Sequence, residues 1–188
     1  MRKISVPGLS LFFGLLFAMF NASAQEGPSL EVTYAYINKK AQEANGHYRI
    51  LPNEAETESA KMIYSGISVA HISKTNEIQI KYERTSQTFF NDKFHFEFKP
   101  IHIQSIEVSK INLQDPVGII VIKLTGKTGK EIVETENESG NYDFEQNSSD
   151  EMHLPFLQSD AENFNKIKKA LEHLKVLSKE VEFDPFAE

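Results

Sequence analysis

The feature that most constrains the fold is an apolar stripe near the C-terminal end of the chain. Its members recur at steps of three and four residues, the spacing of one face of an α-helix: Phe164, Ile167, Ala170, Leu171, Leu174, Leu177 and Val181. Ser159 and Glu162 have the spacing of a capping box. The pattern predicts an amphipathic helix over residues 160–180, and this helix needs an apolar surface to pack against.

A second helix is predicted over residues 29–44. Ser29 is a suitable N-cap and Asn45-Gly46 is a suitable stop. The stripe between them also follows the helical period and consists of Leu30, Tyr34, Ile37, Ala41 and Ala44. This helix therefore requires an apolar partner surface as well.

Residues 47–157, between the two stripes, have the pattern of β-strands. Apolar and polar residues alternate over Ile78–Tyr82 and again over Phe94–Phe98, as in strands with one buried face. Val117–Leu124 is almost entirely apolar, which is typical of a central strand.

Irregular positions are also visible in the strand-like region. Gly66 lies inside an apolar run, which indicates a bulge or a bend, and the apolar phase shifts at Gln104-Ser105, where a bulge is predicted. Pro155 indicates that the last strand lies at a sheet edge, because proline cannot donate to a strand ladder.

Turns and loops are predicted from glycine and from polar runs. Gly126-Lys-Thr-Gly129 predicts a tight hairpin turn into Ile132-Val133. Residues 134–151 are rich in Glu, Asp, Asn and Ser and predict a long mobile loop, either continuous or interrupted by a short strand at Tyr142–Phe144.

Together these segments predict a single α+β domain over residues 25–188. Its expected form is a mainly antiparallel β-sandwich or small barrel of about seven or eight strands, with an N-terminal helix and a long C-terminal helix. In this arrangement the helical stripes and the alternating strand residues share one core.

The first 24 residues have the composition of an export signal. Two basic residues open it, Leu9–Phe20 is an apolar run shorter than the roughly 20 residues of a spanning helix, and Ala22-Ser23-Ala24 suits a signal peptidase. Cleavage is predicted between Ala24 and Gln25. We expect an exported bacterial protein, periplasmic or extracellular, with no membrane span.

Composition narrows the classes of partner. Removal of the signal changes the formal net charge from −7 to −9, because two basic residues are lost and all 27 acidic ones remain. Such a surface repels phosphate backbones, so nucleic acid is not expected as a partner. The chain has no cysteine, and an exported domain without disulfides suits a bacterial periplasm.

The C-terminal helix contains Ala170-Leu171-Glu172-His173-Leu174, and the chain closes on Asp184-Pro185-Phe186. With these residues and its helix–strands–helix order, the chain resembles small exported bacterial domains of pleckstrin-homology-like fold. The resemblance implies a C-terminal helix that caps a bent β-sandwich, and it implies no assigned chemistry. Lipid-headgroup binding is not expected, since Lys74, Lys81 and Arg84 alternate with glutamates in the early hairpins.

Few residues are candidates for a site. His95 and Glu97 share one face of a strand and His102 follows, but metal-motif spacing is absent, so solvated surface residues are expected. A row of phenylalanines either forms core or lines a cavity for an apolar ligand: Phe89, Phe90, Phe94, Phe96 and Phe98.

The sequence assigns no catalytic, cofactor-binding or metal-binding residue. Gly126–Gly129 lacks phosphate-loop spacing, and the chain has neither a cysteine nor a Gly-x-Ser-x-Gly motif. The leading hypothesis is a non-catalytic binding module for an unknown protein or peptide. A binder of a small apolar ligand inside the sheet is the alternative, and an unrecognised hydrolase is the third hypothesis.

Overall fold

The computed structural model describes residues 27–51, 60–86, 91–109 and 115–182. Within these ranges the helices are α1 (Leu30–Gln42) and α2 (Asn163–Glu182). The strands are β1 (Tyr48–Leu51), β2 (Ala60–Ile72), β3 (Glu77–Thr85), β4 (Asp92–Phe98), β5 (Ile103–Val108), β6 (Val117–Leu124), β7 (Gly129–Glu136), β8 (Tyr142–Ser149) and β9 (Glu151–Leu157). A short 3-10 turn, Pro100–His102, joins β4 to β5.

The strands form two sheets in which all paired neighbours are antiparallel. One sheet has six strands in the order β1-β2-β3-β4-β7-β8, and the other has three in the order β5-β6-β9. The prediction of an α+β fold, mostly antiparallel and with a helix at each end, is therefore confirmed.

Both sheets and both helices contribute to one buried core. Ile37 of α1 and Leu171 of α2 are fully buried, as are Ile80 and Phe96 in the six-stranded sheet and Ile120 in the three-stranded sheet. Burial of each such side chain contributes roughly 1.5–3 kcal/mol. The two helical stripes thus find the apolar surface that their periodicity requires.

The helix α1 covers a strand edge as well as part of the core. β1 pairs only with residues 60–63 at the beginning of β2. Further along β2, Oδ1 of Asn45 accepts the backbone N–H of Ile67 at 3.0 Å, and Oδ1 of Asn38 accepts that of Val69 at 2.9 Å. These two asparagines therefore satisfy backbone donors that would otherwise lack a strand partner.

Several strand predictions are confirmed. The register of β2 against β3 shifts between Ser65 and Ser68, where Gly66 adopts a positive φ of 61° that side chains disfavour. A second shift lies between Ile103 and Ser105. β6 is the central strand of its sheet, and the strand that contains Pro155 is an edge strand.

The predicted capping box at Ser159 and Glu162 does not begin α2. The side chain of Asp160 accepts the backbone N–H of Glu162 at 3.0 Å, and the backbone N–H of Asn163 donates to Asp160 O. These bonds form a tight turn, so the helix starts at Asn163 instead of residue 160.

The prediction of a hairpin at Gly126–Gly129 is wrong. The turn connects β6 to β7, but these strands belong to different sheets, and β7 pairs with β4 and β8. Gly129 is buried where the chain crosses between the sheets, and a Cβ on it would overlap the side chain of Met152.

The prediction of a long loop over residues 134–151 is also wrong. The segment completes β7, turns at residues 137–141 and forms β8, so the Tyr142–Phe144 strand is part of a longer one. The backbone N–H of Asn137 donates to Asn141 O at 2.7 Å, and Gly140 has a φ of 75°. This is the geometry of a three-residue hairpin loop, and its ladder of backbone hydrogen bonds orders the acidic segment.

Some predictions fall outside the described residues. These are the export signal with its cleavage site at Ala24 and Gln25, Phe89 and Phe90, and Asp184–Phe186. Among the helices that are described, none combines the length and apolarity that crossing a membrane requires.

The shared core is tested by truncation on α2. Leu171→Ala should lower the free energy of unfolding by about 2–5 kcal/mol, because it leaves a cavity between the helix and the sheets. Val176→Ala on the same helix is the control, since Val176 is 54 % exposed, and should change it by less than about 0.5 kcal/mol. Equal effects of the two substitutions in urea denaturation would contradict the placement of α2.

Candidate functional site

The six-stranded sheet has a core-facing side and an outer side. Ile80 and Tyr82 of β3 are buried on the inner side. The residues that follow each of them, Lys81 and Glu83, are exposed. The alternation of side chains along a strand places the polar residues together on the outer side. Functional side chains that are free to meet a partner are therefore expected on this outer side.

A pocket opens on the outer side, across the middle of the sheet. Its volume is about 270 Å³, and we call it the sheet-face pocket. Four strands contribute its lining residues: Gly66, Ser68, Lys81, Tyr82, Glu83, Lys93, Phe94, His95, Ile132 and Glu134. The pocket therefore depends on the register of β2, β3, β4 and β7.

The strand register explains how these residues come together. Lys81 lies opposite both Ser68 of β2 and His95 of β4, and His95 lies opposite Ile132 of β7. The bulge at Gly66 borders this row and contributes only backbone to the pocket wall. Residues separated by more than 60 positions in the sequence thus line one small depression.

The pocket contains charges of both signs that have no ion-pair partner in the described part of the chain. Among the described residues, Lys81, Glu83 and Glu134 form no ion pair within 4 Å. The Nζ atom of Lys93 lies 4.1 Å from the ring centre of Tyr142, a cation–π contact. Lys81, Glu83 and Glu134 can therefore form ion pairs with a ligand without displacing a partner among the described residues.

His95 and Glu97 lie on the same face, as the sequence predicted. Nε2 of His95 is 2.9 Å from Oε1 of Glu97, although the two atoms are not aligned for a hydrogen bond. Partial burial lowers the pKa of His95, against the charge of Glu97, and the nearby Lys81 charge lowers it further. The imidazole is therefore mainly neutral at pH 7.

Glu97 is the centre of a small network beside the pocket. Its carboxylate accepts a hydrogen bond from Gln79 at 3.1 Å and lies 3.4 Å from Nζ of Lys130. Partial burial raises the pKa of Glu97, but the Gln79 hydrogen bond and the charges of His95 and Lys130 outweigh it and hold the pKa below its usual value. Glu97 is thus an ionised residue at neutral pH, and its negative charge lies beside His95.

The structure does not bring His102 together with His95 and Glu97, the three residues that the sequence analysis weighed as metal ligands and interpreted as solvated surface residues. His102 belongs to the 3-10 turn after β4, beside α2, and not to the outer side of the sheet. In the part of the chain that is described, no group of three or more His, Asp or Glu side chains is arranged to hold a metal ion.

Aromatic residues of β8 extend the outer side beyond the pocket. Phe144 lies opposite Glu134 in the register of β7 and β8, and Tyr142 lies opposite Glu136. Phe144 is 62 % exposed. Sequence reasoning missed both residues as part of a surface, because the acidic composition of the segment predicted a loop.

The phenylalanine row of β4 belongs to the core. Phe96 and Phe98 are fully buried, and Phe94 stacks on Tyr82 with ring centres 4.8 Å apart. Their rings pack against other core side chains, and Phe96 also meets His153 of β9 edge-on at 6.0 Å. Of the two interpretations of this row, the structure supports core.

A second polar cluster lies on the inner side, at one end of the sheet. The guanidinium of Arg84 pairs with Asp92 at 2.5 Å, and the Thr135 hydroxyl donates to the other oxygen of Asp92 at 3.0 Å. These residues come from β3, β4 and β7. Because the polar groups of these residues bond to one another, the cluster links three strands and is not an open binding site.

Comparisons of the chain with protein-family models, with curated proteins and with solved structures give no match. A pocket with two lysines, two glutamates and a neutral imidazole, bordered by exposed aromatic rings, provides ion pairing, hydrogen bonding and stacking at the same surface.

The electrostatics of the site is tested by titration of His95. The pKa of His95 in the folded protein is below 6.5, its usual value in an unfolded chain. Between these two pKa values the unfolded chain binds a proton that the folded protein does not. The free energy of unfolding therefore decreases as the pH falls below 6.5. Glu97→Gln should lower the pKa of His95 further, because it removes an attracting charge. Glu77→Gln, on the same side but away from His95, should not; NMR titration in which both variants behave alike would contradict the pairing.

Proposed function

We propose that the protein is an exported, non-catalytic binding module, and that the outer side of its six-stranded sheet engages a protein or peptide. The observation that carries this proposal is the sheet-face pocket, where Lys81, Glu83 and Glu134 have no ion partner among the described residues and lie near the exposed ring of Phe144. Aromatic residues are enriched at protein-recognition sites, and the rim of such a site is polar and accessible to solvent.

The size of the pocket supports a polypeptide ligand. Sites for drug-sized molecules enclose roughly 300–1,000 Å³ and bury most of the ligand. The sheet-face pocket, at about 270 Å³ and open to solvent, has room for one or two side chains. A partner that inserts a side chain and spreads over the neighbouring strands would use both the pocket and the aromatic surface.

The charge pattern of the pocket supports the same partner class. Two lysines and two glutamates give the lining no net charge, so it favours neither a polyanion nor a polycation. Polypeptides present both signs of charge together with hydrogen-bonding amides, which such a lining complements. Ion pairs at an exposed site add about 0.2–1 kcal/mol each, so their main effect is on the orientation of the partner.

The pleckstrin-homology-like fold and export to a bacterial periplasm, or to the extracellular space, belong to the same proposal. The succession of β1 to β4 in one sheet, a three-stranded second sheet and a long C-terminal helix supports the fold. The apolar run Leu9–Phe20 followed by Ala22-Ser23-Ala24 supports the export.

The experiment compares two charge-reversed pairs. The purified protein is immobilised, exposed to envelope extract from its source cell, and the bound proteins are quantified by mass spectrometry. Lys81→Glu with Lys93→Glu should reduce recovery of the specific partner about tenfold, which corresponds to about 1.4 kcal/mol. Lys39→Glu with Lys179→Glu, two exposed helix positions with the same total charge change, should leave recovery unchanged.

Two results would contradict the proposal. Equal recovery with both pairs of substitutions would remove the pocket from binding. Solvent extraction that releases a small apolar molecule in near-stoichiometric amount would favour the alternative of a ligand inside the sheet.

N-terminal sequencing of the protein isolated from the same cells should return Gln25 if the export signal is cleaved as predicted.

A further inference from the structure

We propose that the free edge of β8 binds an extended, basic peptide segment as an additional strand of the six-stranded sheet. This inference rests on the proposed function as a binding module, but it uses a different surface from the sheet-face pocket and is tested separately. Addition of a strand to an open sheet edge is an established mode of peptide recognition.

The edge of β8 differs from the other sheet edges that the structure describes. β1 has only four residues, β9 contains Pro155, and Nζ of Lys175 donates to Ile103 O at the start of β5. β8 is the last strand of its sheet and has eight residues without proline or glycine. Natural sheets usually shorten, interrupt or cover such an edge.

The backbone of β8 presents regularly spaced free groups along this edge. Asn137 and Asn141 form a hydrogen-bonded pair, and such pairs alternate with non-bonded pairs along an antiparallel ladder. Asp143 and Glu145 therefore bond to β7, whereas Phe144 and Gln146 direct their N–H and C=O groups away from the sheet. An added strand would find these donors and acceptors already aligned.

The charged side chains of β8 determine which peptide strand can pair with its edge. Asp143 and Glu145 are exposed on one side of β8, and neither has an ion partner among the described residues. A second copy of β8 that matched this side would oppose carboxylate with carboxylate, which is destabilising. A strand with lysine or arginine opposite these two positions gains ion pairs instead, so the charges exclude self-pairing and select a basic partner.

The other side of β8 accepts apolar residues. Phe144 and Tyr142 point to the outer side of the sheet, and Phe144 is 62 % exposed. Because side chains alternate along a strand, a peptide that places basic residues opposite Asp143 and Glu145 places every second residue beside these rings. The favoured ligand thus alternates basic and apolar residues.

The probe is a synthetic peptide of alternating Lys and Val that matches the eight residues of β8. Calorimetry at about 50 mM salt, where screening is weak, should detect binding. The same peptide N-methylated on the residues that face β8 should not bind, because it lacks the donors of the ladder. A peptide with Glu in place of Lys should not bind either.

Matched variants locate the binding surface. Asp143→Lys with Glu145→Lys should weaken binding of the Lys/Val peptide by at least about tenfold, since two ion pairs become repulsive contacts. Glu172→Lys with Glu180→Lys makes the same charge change at exposed positions of α2 and should have little effect. Gln146→Pro removes a donor at the free edge and should abolish binding while circular dichroism and the Tm stay unchanged.

The outcomes distinguish strand addition at the β8 edge from binding elsewhere on the protein. The proposal is overturned if the Lys/Val peptide does not bind, if the N-methylated peptide binds equally well, or if the α2 variant loses as much affinity as the β8 variant. It is also overturned if ultracentrifugation shows a dimer that Gln146→Pro abolishes, because a second copy would then occupy the edge. Lys81→Glu alone, on β3 and separated from β8 by β4 and β7, should leave peptide binding at the edge intact, so failure of the edge and failure of the pocket are distinguishable.

Discussion

Backbone groups at strand edges need partners, and the covering of the β2 edge by α1 is the interaction on which the rest of the structure depends. β1 is too short to pair with all of β2. Beyond β1, the side chains of Asn38 and Asn45 accept hydrogen bonds from the backbone N–H groups of β2. The same helix buries Ile37 and Ala41 in the core. The helix and the turn that follows it thus close an edge and fill the interior, so a change in their position would affect both.

The opposite edge of the six-stranded sheet, formed by β8, differs from the β2 edge in its exposure. The hairpin of β7 and β8 extends the six-stranded sheet beyond the core, and β8 is exposed along nearly its whole length. Because β8 contributes little to core burial, its side chains can be selected for contacts with a partner without cost to folding. The sheet-face pocket lies between these two regions, where the register shift at Gly66 meets the polar residues of β3 and β4.

Much of the fold could be predicted from periodicity. The helical stripes, the alternation in β3 and β4, the central strand β6 and the bulge at Gly66 all follow from the spacing of apolar residues or from glycine. The hairpin at residues 137–141 was missed, because the acidic composition outweighed the turn residues Asn137 and Gly140. The turn residues of Gly126–Gly129 suit a hairpin, but turn residues alone do not reveal which sheet the next strand joins.

The candidate site was less predictable than the fold. The shared face of His95 and Glu97 follows from strand alternation, and the structure confirms it. The pocket itself requires Lys81, His95 and Ile132 to be aligned across three strands, and strand order and register are properties of the folded chain. The exposure of Phe144 likewise depends on the pairing of β8, which composition does not specify.

Amide hydrogen exchange, followed residue by residue by NMR, tests most directly the claim that α1 closes one sheet edge while β8 leaves the other open. The account predicts that the amides of Ile67 and Val69 exchange slowly, although none of the described strands pairs with them on that side. It also predicts that Phe144 and Gln146 exchange rapidly, while Asp143 and Glu145 between and beside them are protected by β7. Exchange of Ile67 and Val69 as fast as that of Phe144, or uniform protection along β8, would contradict it.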